Sequence, residues 1–403
     1  MVEVLRPADA DQLREAIAWA TAEETALEIV GGGGKRGLGR PLMTEYRLDC
    51  SALAGIVAYE PEELVLTIRP GTPLAEIAAA LAAERQQLAF EPPDLGPLYG
   101  AQAGMGSIGG VIACNLSGPR RIKAGAARDH FLGVAAVTGR GEEIKAGGKV
   151  VKNVTGYDLC KLFAGAHGTL AALTEITLKV LPAPEKTRTV LVFGLDDATA
   201  IRALTAALAS PNEVSGAAHL PAAAAARSGV AYVAGAGAAV TAARVEGPAR
   251  STAHRCAELR ALLGRFGPVE ELHGRNSGLL WAEVGDVAPL LGAGDRVIWR
   301  LSVPPAEGAE VVARIATDCE ALYDWGGGLI WLALAPLDDG GAALLRGAIA
   351  GGHATLMRGA AELRTRVPVF HPQPAPLAAL SARIKQGFDP RRVLNPGRMY
   401  QGV

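Results

Sequence analysis

Apolar positions along the chain fall into short runs whose spacing changes from segment to segment. Leu13, Ile17 and Ala20 share one helical face behind Asp9 and Asp11, either of which can cap, and this predicts a helix over Asp9–Thr21. Leu27–Val30 is an apolar run of strand length that leads directly into consecutive glycines. Arg47–Cys50 and Glu63–Arg69 read as strands. Thr72 is then expected to cap a helix from Pro73 to Gln86, with proline at the favoured first position. Glu91-Pro92-Pro93-Asp94 is a turn, Val111–Leu116 a small-residue helix or buried segment, and Phe131–Val137 and Leu170–Val180 are strands.

The texture changes after Leu181-Pro182-Ala183-Pro184. Strands are expected at Thr187–Phe193, Val297–Val303 and Gly328–Ala333, and a hairpin from Val230–Val233 and Ala243–Glu246. Helices are expected at Asp196–Ser210, Arg255–Phe266, Glu307–Asp318 and Gly341–Gly351. This alternation predicts an α+β sandwich of ferredoxin-like type. No repeat of fixed period is visible. The expected organisation is a first domain over 1–183, a second over 184–373 and a C-terminal segment over 374–403.

Composition narrows the function. Forty basic and 41 acidic residues leave a formal charge of -1, which gives no field for nucleic acid or an anionic membrane. No apolar run approaches the ~18 residues of a membrane span, and the mixed N-terminus is not expected to be a signal peptide. The five cysteines are far apart and fit reduced thiols, so neither a zinc site nor an iron–sulfur cluster is expected from this chain alone. Glycine, however, makes up 50 of 403 residues, against a usual share of about 7%.

Thirteen of those glycines stand in three loops. Gly31–Gly39 follows a strand and contains Lys35 and Arg36. Such a loop can ring an anion with its N–H groups, although a flexible surface hairpin would have the same composition. It lacks the Gly-Lys-Ser/Thr ending of a P-loop, and Pro41 excludes the helix that a Rossmann fingerprint requires. The second loop, Gly104–Gly110, enters a small-residue segment and is followed by Asn115, Gly118, Arg120, Arg121, Arg128 and Asp129. The third region runs from Val150 through Lys152 and Asp158 to Gly165-Ala166-His167-Gly168-Thr169, where His167 alone reads as a capped or exposed histidine. Three such loops before residue 170 point to a long, polar, aromatic cofactor.

In order and spacing these loops resemble the FAD-binding domain shared by vanillyl-alcohol oxidase and p-cresol methylhydroxylase. Pro92-Pro93, Ser117-Gly118-Pro119-Arg120-Arg121, Lys152–Leu159, Asp324-Trp325-Gly326-Gly327, Gly351-Gly352-His353-Ala354-Thr355 and Leu394–Tyr400 extend the likeness over nearly the whole chain. Together they resemble the smaller FAD-binding subunit of the bacterial three-subunit glycolate oxidase. The resemblance implies oxidation of glycolate to glyoxylate, with a larger FAD-binding catalytic subunit and an iron–sulfur subunit as partners. It implies a cytoplasmic location, peripheral to the inner membrane at most through the complex. It also implies that the C-terminal segment returns to the FAD domain.

Carried over by position, the resemblance assigns FAD to Gly32, Gly33, Gly34, Lys35, Arg36, Gly37, Pro92, Ile108, Gly109, Gly110, Asn115, Gly118, Arg128, Asp129, Gly168, Thr169, Glu175, Ile176 and Asn395. Gly31–Gly39 has no His or Cys for covalent attachment, so the FAD is expected to be non-covalent. The alternative is a self-sufficient FAD dehydrogenase or oxidase of a small 2-hydroxy acid such as D-lactate. For that chemistry His353 is the candidate base and Arg358 the candidate carboxylate clamp, while the favoured reading of a lone histidine beside Gly352 is that it caps a strand and hydrogen-bonds a loop. Trp325 and Trp331 are candidate core residues or a partner-facing patch.

Overall fold

The computed structural model describes residues 2–149 and 156–403. Two compact units emerge. One comprises Met1–Leu116, Ala126–Ala183 and Pro372–Val403, and the other comprises Ser117–Gly125 and Pro184–His371.

In the first unit the helix Ala10–Ala22 buries Leu13, Ile17 and Ala20, and Asp9 caps it by accepting from the Gln12 N–H. That stripe packs with Leu27, Leu48, Val137, Val393 and Leu394. A small parallel sheet has Tyr46–Asp49 at its centre, between Glu3–Leu5 and Leu27–Val30. The chain's last stretch joins its edge: Leu27 N–H donates to the Val393 carbonyl and Asn395 N–H to the Leu27 carbonyl. A five-stranded antiparallel sheet runs in the order Ile56–Glu60, Val65–Ile68, Ala171–Lys179, Phe131–Thr138, Glu143–Gly147.

The second unit is built on one eight-stranded antiparallel sheet. Its order is Val269–His273, Lys186–Phe193, Val240–Gly247, Gly216–Leu220, Cys319–Asp324, Leu329–Leu334, Val297–Ser302, His353–Arg358. Each half of that order is a split βαββαβ arrangement, and the halves meet where His219 faces Tyr323. The fold thus repeats its topology although the sequence shows no period. The helices Asp197–Leu208, Ala249–Leu263, Gly308–Arg314 and Ala342–Ala348 share one core with Val190, Trp299, Leu301, Ile330, Leu332, Ala354 and Leu356. Those strand residues alternate with Arg300, Ser302, Thr355 and His353, which the pleat directs to the other face.

The mixed α and β class matches the expectation from sequence, but several elements differ. Thr72 does not cap: its hydroxyl donates to the Arg69 carbonyl and accepts from Gly55 N–H, and the helix Leu74–Ala83 begins after Pro73. Ala231–Ala234 is a helical turn rather than half of a hairpin, because Val240–Gly247 pairs with Lys186–Phe193 and Gly216–Leu220 instead. The helix expected to reach Asp318 ends at Arg314, and Cys319–Asp324 is a strand. Among the described residues no helix is long and apolar enough to cross a membrane.

Candidate functional site

The strand Leu27–Val30 leaves the small sheet straight into Gly31–Gly34, and this junction lines a cleft of about 530 Å³, mouth included. Ile29 through Arg36, then Met105, Ser107, Gly110, Ala113 and Cys114, and finally His167, Asn395 and Arg398 form its lining. The region around Ser107 is braced from below: Ile108 N–H donates to the Thr72 carbonyl, Leu74 N–H to the Gly106 carbonyl and Gly109 N–H to the Pro70 carbonyl. A Cβ at Gly109 would lie 2.7 Å from that of Pro70.

Glycine is required at two positions for a reason the sequence does not show. A Cβ on Gly32 would lie 2.0 Å from the Met105 carbonyl oxygen, and one on Gly31 would lie 2.6 Å from Ser107 Oγ. The two loops therefore touch backbone to backbone. Gly33 adds a left-handed φ of +77°.

The cleft is strongly cationic. Glu28 is buried, and burial alone would raise its pKa; bidentate bonding from Arg36 at 2.8 and 2.7 Å and a bond from Arg47 at 3.0 Å pull it below the usual carboxylate range. Arg398 Nη1 lies 3.9 Å from the same carboxylate. Lys35 is pushed down from the ordinary lysine value by burial, with Cys114 and Asp94 opposing. Among the described residues no carboxylate lies within ion-pair distance of its ammonium. His167 Nδ1 is 3.6 Å from Cys114 Sγ. Burial and the Arg398 charge hold this histidine down to about 3, so it is neutral, and burial pushes the Cys114 thiol up.

The tail completes the arrangement. Asn395 Oδ1 accepts from Ile29 N–H at 2.8 Å, and its amide donates to the His167 carbonyl at 2.8 Å. Arg398 donates to the Lys35 and Arg36 carbonyls.

Of the residues singled out from sequence, Gly32, Gly33, Gly34, Lys35, Arg36, Gly110 and Asn395 line this cleft together. Gly37 packs on Tyr99, and Gly168 on Asn395. Ile108 and Gly109 sit in the adjoining helix Ile108–Cys114. Others lie outside the lining, for local reasons. Asn115 ends that helix in the left-handed region and accepts from Arg128 N–H, while Asp129 accepts from Ala126 N–H. Gly118 belongs to the second unit, where its carbonyl accepts from Trp325 Nε1. Thr169 is buried and donates to the Ala166 carbonyl. Glu175 faces Ala135 across the sheet, and Ile176 sits between Ile68 and Val134. Pro92 is a loop residue away from the lining. Within Lys152–Leu159, residues 152–155 lie outside the described residues; Tyr157 is exposed and Asp158 caps the helix Leu159–Phe163.

The proposed base and clamp do not meet. His353 pairs with Ser302 at one end of its six-residue strand, and Arg358 pairs with Ile298 at the other, roughly 16 Å away at the usual strand rise. Arg358 is instead committed to the Gly294 and Arg296 carbonyls. Met105, Ser107, Cys114 and Arg398 line the cleft although none was among the residues expected to hold FAD, and His167, expected to be capped or exposed, lines it too. Arg398 stood only three residues after Asn395, within a segment already marked.

A family model described as an FAD binding domain matches residues 3–147. The glycolate oxidase subunit GlcE of Escherichia coli (strain K12) is 35% identical over 398 residues, which are 98% of this chain and 99% of that protein. The glycolate oxidase subunit GlcD of Bacillus subtilis (strain 168) is 37% identical over 138 residues, 34% of this chain and 28% of that protein. Among solved structures, p-cresol methylhydroxylase with substrate bound has a TM-score of 0.75 over 99% of this chain and 88% of its own, at 14% identity, a likeness of fold alone.

Proposed function

We propose, on the premise that the chain belongs to the family of the glycolate oxidase subunit GlcE, that it is the smaller flavin subunit of a complex oxidising glycolate to glyoxylate. It is an FAD-linked oxidoreductase by family, and FAD is its cofactor. The FAD lies non-covalently along the cleft beside Gly31–Gly34, with its diphosphate at Lys35.

One observation carries this placement. Lys35 holds a positive charge that burial disfavours; the charge of Asp94 offsets that only in part, and among the described residues no carboxylate lies within ion-pair distance. A diphosphate supplies the missing charge, and the backbone N–H groups of the glycine loop supply donors. Arg36 and Arg398, held by Glu28, add to the field. The protonated Cys114 thiol and neutral His167 suit a site that holds its cofactor without a bond, since a thiol is a poor nucleophile.

When bound, FAD would supply the hydride acceptor for the carbinol carbon of a 2-hydroxy acid. Lys35 and the glycine loop would hold its anionic portion, with Gly31 and Gly32 packed on Ser107 and Met105. The electrons pass onward to an iron–sulfur subunit, and the larger flavin subunit completes the complex. This chain's widely spaced cysteines offer no cluster of their own.

An absorption spectrum of the purified chain tests the reading. The expected protein is yellow, releases its flavin with acid, and regains the band on adding FAD. A colourless protein that takes up no FAD would end the proposal.

A further inference from the structure

A second charged cluster belongs to the other unit. Its centre is Trp325, which the chain holds at φ +53°. A bulky aromatic residue rarely adopts that conformation, and such strain persists only where the surroundings enforce it. Here Asp324 accepts from the Trp325 N–H at 2.7 Å, the indole Nε1 donates to the Gly118 carbonyl at 3.1 Å, and Gly326 and Gly327 continue with positive φ.

Two guanidiniums gather on the fixed indole. Arg121 stands 4.2 Å from the ring centroid and Arg300 stands 5.2 Å from it. Arg300 lies on the sheet face opposite the helical core. Register places Ser302 and then His353 on that same face, because His353 pairs with Ser302 and Thr355 with Arg300. His353 is pushed below the ordinary histidine value by burial first and then by Arg300, His371 and Arg121, all of them basic groups. His371 Nδ1 accepts from the Ala354 N–H, which keeps it beside the strand.

We propose that Arg121 and Arg300, set on Trp325 with His353 beside them, form a binding site for a small carboxylate, the anionic end of a 2-hydroxy acid. Planar guanidiniums match a carboxylate's two oxygens, and stacking on an indole fixes their planes in advance. A neutral His353 can accept a hydrogen bond from the adjacent hydroxyl. Arg300 and Arg121 thereby take the clamp role for which Arg358 was the candidate. The identity of the ligand as substrate rests on the proposed function, whereas the site itself does not.

Oxalate, a dicarboxylate that cannot be oxidised at a carbinol, is the probe. Its binding to the full-length protein is measured by calorimetry, with and without added FAD, and flavin content is recorded separately. Binding by the wild type is expected, weakened about tenfold or more by Arg300→Gln and by Arg121→Gln. Flavin content should be unchanged in both, and Arg300→Lys should recover part of the affinity. Arg265→Gln, an exposed arginine elsewhere in the unit, should leave binding intact. No oxalate binding by wild type, equal binding by both arginine variants, or equal weakening by Arg265→Gln would each overturn the proposal. Oxalate binding by a protein that takes up no FAD would instead sink the flavin reading and leave the anion site standing.

Discussion

Lys385 and Asp389 form an ion pair with almost no solvent contact, Nζ to Oδ2 2.8 Å, one turn apart on the C-terminal helix and its cap. The lysine spends its other two donors on the Thr169 and Leu394 carbonyls at 2.6 and 2.9 Å. Asp389 also accepts from the Val393 and Leu394 N–H groups. This pair ties the tail to the loop before Ala171–Lys179 and delivers Asn395 to the cleft. Lys385→Met should leave a buried carboxylate without its cation and lower stability by about 3–5 kcal/mol. Urea unfolding followed by far-UV dichroism measures the loss. Flavin retention should fall with it, because Asn395 then loses its hold on Ile29 and His167.

The cleft glycines separate by what a methyl group would meet. Gly32→Ala must move the Met105 carbonyl, so flavin affinity should drop more than about tenfold, read by titrating FAD into apoprotein. Gly278, inside the helix Gly274–Gly285, meets nothing within 4 Å. Gly278→Ala should therefore raise stability by about 0.5–1 kcal/mol with flavin binding unchanged. Equal behaviour of the two variants would show that glycine richness here is compositional.

The contrast also explains what was legible beforehand. Leu13, Ile17 and Ala20 announce a helix because their period is local, and Leu27–Val30 is delimited by the glycines that follow it. Gly216–Leu220, Cys319–Asp324 and His353–Arg358 went unread as strands: their short mixed runs show little β pattern, and their place in the sheet comes from neighbours distant in sequence. The glycine loop and Lys35 were visible as a candidate site. The contact of Gly32 with Met105, and the approach of Arg398 to Glu28 across most of the chain, are tertiary facts that no local motif encodes.

Lys35→Met should move two quantities in opposite directions. Burial lowers the lysine's pKa, so its charge costs the empty protein stability. Below the lowered value that cost is constant, and it disappears as pH rises toward the ordinary lysine range. The variant should thus melt higher than wild-type apoprotein at neutral pH and show a flatter alkaline profile. FAD affinity should nonetheless fall about tenfold for want of a charge-assisted bond to the diphosphate. A variant that loses stability without FAD, or holds FAD as well as wild type, would contradict this role.

Glu246 governs the acid limit of the second unit. Burial would raise its pKa, but Arg120, bonded at 2.9 Å through both Nε and Nη2, and the charge of Arg244 bring it down to about 2. Both arginines are themselves largely shielded, Arg244 almost completely. In the unfolded chain the carboxyl titrates near 4.5. The stabilisation is therefore complete above that pH, and it drains away between about 4.5 and 2 as the folded chain is forced to take up the proton. Its full value at neutral pH is on the order of 3 kcal/mol. Glu246→Gln should forfeit most of it at pH 7 and leave Arg120 and Arg244 without their anion, while the unfolding free energy of the variant should change less steeply across that acid window. Chemical unfolding at a series of pH values reads both effects, and parallel curves for variant and wild type would show that the carboxylate is not what sets the acid limit.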